Sequence, residues 1–151
     1  TAILAADAMQ ALAFRVAAKS PRNPVAVVDA LAAAGVGVVK GQVEDVAKSD
    51  GLEFIYLHKT SDLFVAAAVM GGLAAGGTDA EIAALRVFAR NLGMAFQFED
   101  DLLDGDSPFT KTEIESRVRE TTNAAIAALS ALSGNTDFLT QLAASLVGRD
   151  K

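Results

Sequence analysis

The feature that most constrains this chain is its punctuation: helix-length, alanine-rich apolar runs alternate with short clusters of Pro, Gly, Ser and Asp. Alanine is the best helix former and lets helices approach closely, whereas few runs show the β-branched, strictly alternating pattern of a strand. A first helix is predicted from Thr1 to about Lys19, ended by Ser20-Pro21 and Pro24, and a second from about Pro24 to Lys48. Three interior glycines, Gly35, Gly37 and Gly41, each cost the second helix about 1 kcal/mol relative to alanine, which implies close packing or a functional bend. A third helix follows from about Leu52 to Ala75. After Gly76-Gly77 a capping box, Thr78 with Glu81, opens a fourth, which runs to about Asp104 on a stripe of Ile82, Leu85, Phe88, Leu92, Ala95 and Phe96. Gly105 and Pro108 stop it. Helices from about Lys111 to Leu132 and from Asn135 to Val147 complete an all-α bundle of about six helices in one domain, 1–151.

Composition removes several functions. The net charge of −6 and the lack of clustered Lys and Arg argue against nucleic acid as a partner. With no cysteine there is no disulfide or thiolate metal site, and with His58 as the single histidine a histidine zinc site or a Ser-His-Asp triad is excluded. The longest uncharged stretch, Leu63 to Thr78, is too short and glycine-rich to span a bilayer, and the start lacks a secretion signal. A soluble, cytoplasmic protein is expected.

One segment runs against local stability. Phe96-Gln97-Phe98-Glu99-Asp100-Asp101-Leu102-Leu103-Asp104, followed by Asp106, puts carboxylates at a helix C-terminus, where the macrodipole disfavours each by about 0.3–1 kcal/mol. Asp100 and Asp104 also repel at i,i+4. A bound cation reverses both signs. Gln97, Asp100, Asp101 and Asp104 share one helical face over two turns, and such hard oxygen donors suit Mg²⁺, which keeps waters and shares its shell with substrate phosphates. A bare DDxxD is otherwise a solvated acidic end.

The string FQFEDDLLD resembles the second aspartate-rich motif of the trans-type isoprenyl diphosphate synthases, the family of the farnesyl and geranylgeranyl diphosphate synthases. Lys59-Thr60 in HKTSDLFVAAAVMGG is similar to that family's Lys-Thr helix, Gly41-Gln42 with Asp45 to its Gly-Gln-x-x-Asp stretch, and AILAADAMQALAF to the helix after its first aspartate-rich motif. These patterns stand in family order over about the first two-thirds of the chain. The resemblance implies the C-terminal part of the isoprenoid synthase fold and a Mg²⁺-dependent prenyltransferase. Its substrates would be an allylic diphosphate, which ionises, and isopentenyl diphosphate, which attacks the resulting cation. Asp100, Asp101 and Asp104 would be the metal-side carboxylates, with Asp100 foremost. Lys59 would hold the allylic diphosphate, Thr60 and Gln97 would stand beside the developing cation, and Gln42, Gln97 and Phe96 would help bind substrate. Phe96 and Phe98 fall on different faces, which puts Phe96 against the core and Phe98 toward a cavity.

Other roles for the same residues stand beside these. In these, Lys59 would pair with Asp62 at i+3, Gln42 and Asp45 would form only a polar strip, and His58 would be a surface or packing residue. The chain also departs from the family. It contains no first aspartate-rich motif, whose neighbourhood largely sets product length in the family, and none of the family's Lys-x-x-Gly-x-Asp loop after Asp104; Lys111 is the nearest substitute cation. Half of the ligands are therefore missing, so the chain is expected not to complete the chemistry alone. It is then part of a larger synthase, a half that assembles with a partner or as a homodimer, or a non-catalytic helical subunit of a true synthase. Each case predicts an uncovered apolar face. Cyclases and head-to-head condensing enzymes ionise similar substrates, but the Gln97-containing motif favours chain elongation.

Overall fold

The computed structural model describes residues 1–105 and 107–147; Asp106, named above with the acidic run, lies outside them. Every regular element among the described residues is helical: α1 (Ala2–Ala17), α2 (Pro24–Ala47), α3 (Leu52–Ile55), a π-helical turn (Tyr56–Ser61), α4 (Asp62–Ala75), α5 (Asp79–Asp104), α6 (Lys111–Ala128), a 3₁₀ turn (Leu129–Ala131) and α7 (Asp137–Ala144). The all-α expectation holds. Boundaries of α2, α5 and the start of α6 fall within a residue of those predicted, while the last helix is shorter and the third is interrupted by the π turn.

Helix ends follow the chemistry of their residues. Gly76 (φ 83°) and Gly105 (φ 75°) terminate α4 and α5 in the left-handed conformation that glycine adopts at least cost. The Thr78–Glu81 capping box forms, and Glu81 reaches on to Ser133 Oγ at 2.6 Å, tying the start of α5 to the loop after α6. Those bonds, that of the Ser133 hydroxyl foremost, hold the Glu81 carboxyl down to about 2. A second capping box, Thr110 with Glu113, opens α6.

Helix α5 is central. Its predicted stripe is buried where it matters: Phe88, Leu92 and Ala95 form a cluster with Ala125, Leu129, Ala143 and Leu146 from α6 and the chain beyond it. A second cluster, Ile55, Tyr56, Phe98, Ile114 and Val118, packs the π turn and the last turns of α5 against α6. On the other side of the molecule α2 lies against α4 and the π turn. Its buried positions, Val27, Ala34, Gly37 and Gly41, form one stripe, and Val36, Val39, Val43 and Val46 form another that is exposed. Ile3, Leu4, Met9, Leu12 and Val16 of α1 are exposed as well, so the uncovered apolar face expected of a partial bundle is present. By length and composition α2 is apolar enough to cross a membrane, which the reading of Leu63–Thr78 passed over; 22% of its apolar window is buried, Gly37 and Gly41 among the buried residues of the helix.

Candidate functional site

Two glycines of α2 explain how the site residues come together. A Cβ on Gly41 would collide with the backbone nitrogen of Lys59, and one on Gly37 would collide with the carboxylate of Asp62, so α2 meets the π turn at backbone distance. This is the close packing that interior glycines imply; Gly35 has no such neighbour and stays unexplained. The approach lets Lys59 Nζ reach Asp45 Oδ2 at 2.7 Å. Hydrogen bonding from Lys59 is the main cause that holds the Asp45 carboxyl below its ordinary value. Lys59 therefore pairs with Asp45 across two helices and not with Asp62 on its own, because His58 Nδ1 occupies Asp62 at 2.8 Å.

The π turn carries Tyr56, His58, Lys59, Thr60 and Ser61. Its wider pitch inserts the equivalent of an extra residue, a distortion concentrated at functional sites, and splays these side chains between α2 on one flank and α5 on the other. Toward α5, Ser61 is fully buried beside Gly93, where a Cβ would stand 2.7 Å from Ser61 Cα. Thr60 Oγ1 donates to Gln97 Oε1 at 2.6 Å, and Gln97 Nε2 donates to Asp101 Oδ1 at 2.8 Å. The Tyr56 hydroxyl donates to Asp101 Oδ2. Burial first, then the Asp101 carboxylate, pushes the tyrosine's pKa up, so near neutrality it keeps the proton it donates.

Asp45, Tyr56, Lys59, Gln97, Asp101 and Asp104 line one cleft of about 290 Å³, together with Leu52, Ile55 and Pro108. It sits at the C-terminal end of α5, whose last turn contains no basic residue. Lys59, Gln97, Asp101 and Asp104, four of the residues singled out in the sequence, therefore meet there, with Thr60 bonded to Gln97 at its wall. Asp100 is half-buried and is not among the lining residues. Among the described residues no three His, Asp or Glu side chains stand grouped as a ready-made ion cage.

Other predicted residues lie elsewhere. Gln42 is exposed and donates to Asp45 at 3.3 Å, one step outside the cleft. Phe96 packs on the main core with its ring 5.5 Å from that of Phe64. Phe98 is buried and edges a different cavity, of about 390 Å³, with Arg117 5.6 Å above its ring. Lys111 extends toward Glu115 of its own helix at 3.8 Å and does not line the cleft. Tyr56 was missed by sequence reasoning; an aromatic in an apolar run reads as core, and only its i,i+4 relation to Thr60 hinted at a shared face.

Comparison with known proteins gives the chain a family. Residues 1–116 match the family described as polyprenyl synthetase. Two proteins of Arabidopsis thaliana, the large subunit 1 of a heterodimeric chloroplastic geranylgeranyl pyrophosphate synthase and the chloroplastic geranylgeranyl pyrophosphate synthase 11, are 41% and 42% identical over 68% of this chain. The chain spans about a third of their lengths, 33% and 34% respectively. Among solved structures, a FPP/GFPP synthase from Zymomonas mobilis superposes with a TM-score of 0.81 at 27% identity, covering 93% of this chain and 59% of its own. A geranyltransferase from Legionella pneumophila gives 0.79 at 28%, covering 96% and 58%. The shared helical fold, the match over 1–116 and the cleft within that stretch lead to one assignment: this chain belongs to the polyprenyl synthetase family.

Proposed function

We propose that the chain supplies one wall of a prenyltransferase site that condenses an allylic prenyl diphosphate with isopentenyl diphosphate. The observation that carries this is the meeting of Lys59 with Asp101 and Asp104 in one cleft. A cation and two hard carboxylates facing a common space suit a diphosphate and its divalent ion. The donor set fits Mg²⁺, a hard ion that binds through one or two carboxylates and otherwise through water and phosphate oxygens: Asp101 and Asp104 in the cleft would hold it, and Asp100, which does not line the cleft, would have to turn toward it to add a third oxygen. When bound, the ion neutralises charge growing on the leaving diphosphate.

The chain's own groups divide the remaining work. Lys59 leaves Asp45 for the diphosphate and adds positive charge where the C–O bond breaks. Gln97 and Thr60, coupled at 2.6 Å, present oxygen dipoles toward the allylic carbon as it becomes cationic. Asp45, relieved of Lys59, stays beside it with Gln42 to receive the ammonium again after release. Apolar lining residues, Leu52 and Ile55, exclude water that would otherwise quench the cation.

The partners follow from the same chemistry: both diphosphates, and a second wall of carboxylates brought by the rest of a longer protein or by another copy across the exposed α1–α2 face. The expected place of action is the cytoplasm, and finding the protein in an organelle, as the names of its plant relatives state for them, would overturn that. The function is tested in the intact protein by Lys59→Ala. Condensation is expected to fall on the order of 10²–10³-fold, the scale for losing one preorganised charge-stabilising donor. Undiminished turnover would remove Lys59 from the reaction and the reading with it.

A further inference from the structure

Tyr56 does more than packing asks of it. Its ring is 5% exposed and meets Phe98 edge-on at 5.5 Å within an otherwise apolar cluster, a place a phenylalanine would fill equally well. Yet its hydroxyl crosses from the π turn to Oδ2 of Asp101, while Gln97 holds Oδ1 of the same carboxylate at 2.8 Å. Both oxygens are thus gripped by neutral donors from two different elements. Each oxygen of a carboxylate accepts more than one hydrogen bond or ligand, so gripping orients the group without exhausting it. Lys59 does not share this task, since Asp45 engages it.

We propose that Tyr56 is a positioning residue which, with Gln97, fixes the plane of the Asp101 carboxylate so that its remaining lone pairs face the cleft beside Asp104. This deepens the reading of the cleft as a Mg²⁺–diphosphate site and rests on it. A neutral donor suits the purpose: a lysine or arginine in place of Tyr56 would orient Asp101 but cancel the charge that attracts the ion. The π turn is what brings the hydroxyl there, by setting Tyr56 and Thr60 against Asp101 and Gln97, each pair four residues apart.

Calorimetric titration of the intact protein with inorganic pyrophosphate in the presence of MgCl₂, alongside thermal unfolding, tests this in the parent, Tyr56→Phe, Asp101→Asn and the double variant. Tyr56→Phe is expected to keep the unfolding midpoint nearly unchanged and to weaken Mg²⁺-dependent pyrophosphate binding about tenfold, the scale of one hydrogen bond to a charged group. Acting through Asp101, it is expected to add nothing to the loss already caused by Asp101→Asn, whereas independent effects add. Additive losses, or parental binding in Tyr56→Phe while Asp101→Asn is impaired, would overturn the positioning role and leave the cleft assignment standing. Absence of Mg²⁺-dependent binding in the parent would remove the cleft assignment itself.

Discussion

Lys59 and Asp45 show what a residue pair fourteen positions apart can hide from sequence reasoning. The i+3 partner Asp62 is the nearer acid in the chain, but His58 takes it, and the glycine contact at Gly41 delivers Lys59 to α2 instead. Asp101 is a similar case: its place in the acidic run and its shared helical face with Gln97 were legible, but its second donor was not, because nothing in the sequence around Tyr56 advertises a carboxylate partner on another element. The Lys59–Asp45 pair has a pH signature. As the Asp45 carboxyl titrates below its ordinary 3.8, the pair stabilises the fold above that pH and loses its contribution as the pH falls through the lowered value. Asp45→Asn is therefore expected to lower the unfolding midpoint by about 2–4 °C or less, the measure of a half-exposed ion pair, evenly between pH 5 and 8. The difference closes below pH 3.8. A difference that widened on acidification, followed by circular dichroism melts, would contradict the pairing.

At the scale of elements, helix existence and most ends were readable, since breakers and caps act locally: Pro24, Gly76, Gly105 and the Thr78–Glu81 box each mark a boundary that forms. The Thr110–Glu113 box obeyed the same rule and went unread. The π turn was not readable. Inserting one residue's worth of turn into a continuous helix leaves composition untouched and shifts the periodicity too briefly to register. Its reason is tertiary, a fit between two neighbours: Gly41 of α2 admits its backbone on one flank and Gly93 of α5 admits Ser61 on the other. Gly93→Ala is accordingly expected to destabilise by about 1–3 kcal/mol, the usual cost of overpacking a tight contact, seen as a lower denaturation midpoint at unchanged slope. Stability equal to or above the parent's, as a helix-propensity gain alone would give, would show that the contact is loose.

For the whole molecule, the acidic motif stands without a counterpart in the sequence, and the structure exposes an apolar face. The valines of α2 at positions 36, 39, 43 and 46 form an exposed stripe, and Ile3, Leu4, Met9, Leu12 and Val16 of α1 are exposed too. Patches of this kind on a folded chain mark a surface meant to be covered. Expressed as these 151 residues, the protein is expected to bind a hydrophobic dye and to self-associate in sedimentation experiments. Val39→Arg with Val43→Arg is expected to reduce both by at least about half, because two charges interrupt the apolar patch at its middle. Dye binding and sedimentation unchanged by the pair would mean that the stripe is not the sticky surface.

Lys59 and the acidic end of α5 are proposed as opposite sides of one Mg²⁺–diphosphate site. A crystal structure of the intact protein soaked with MgCl₂ and pyrophosphate tests it most directly. Metal density is expected against the Asp101 and Asp104 carboxylates, with Lys59 released from Asp45 onto the diphosphate. Pyrophosphate bound elsewhere, or an empty cleft with Lys59 still on Asp45 at saturating ligand, would contradict it.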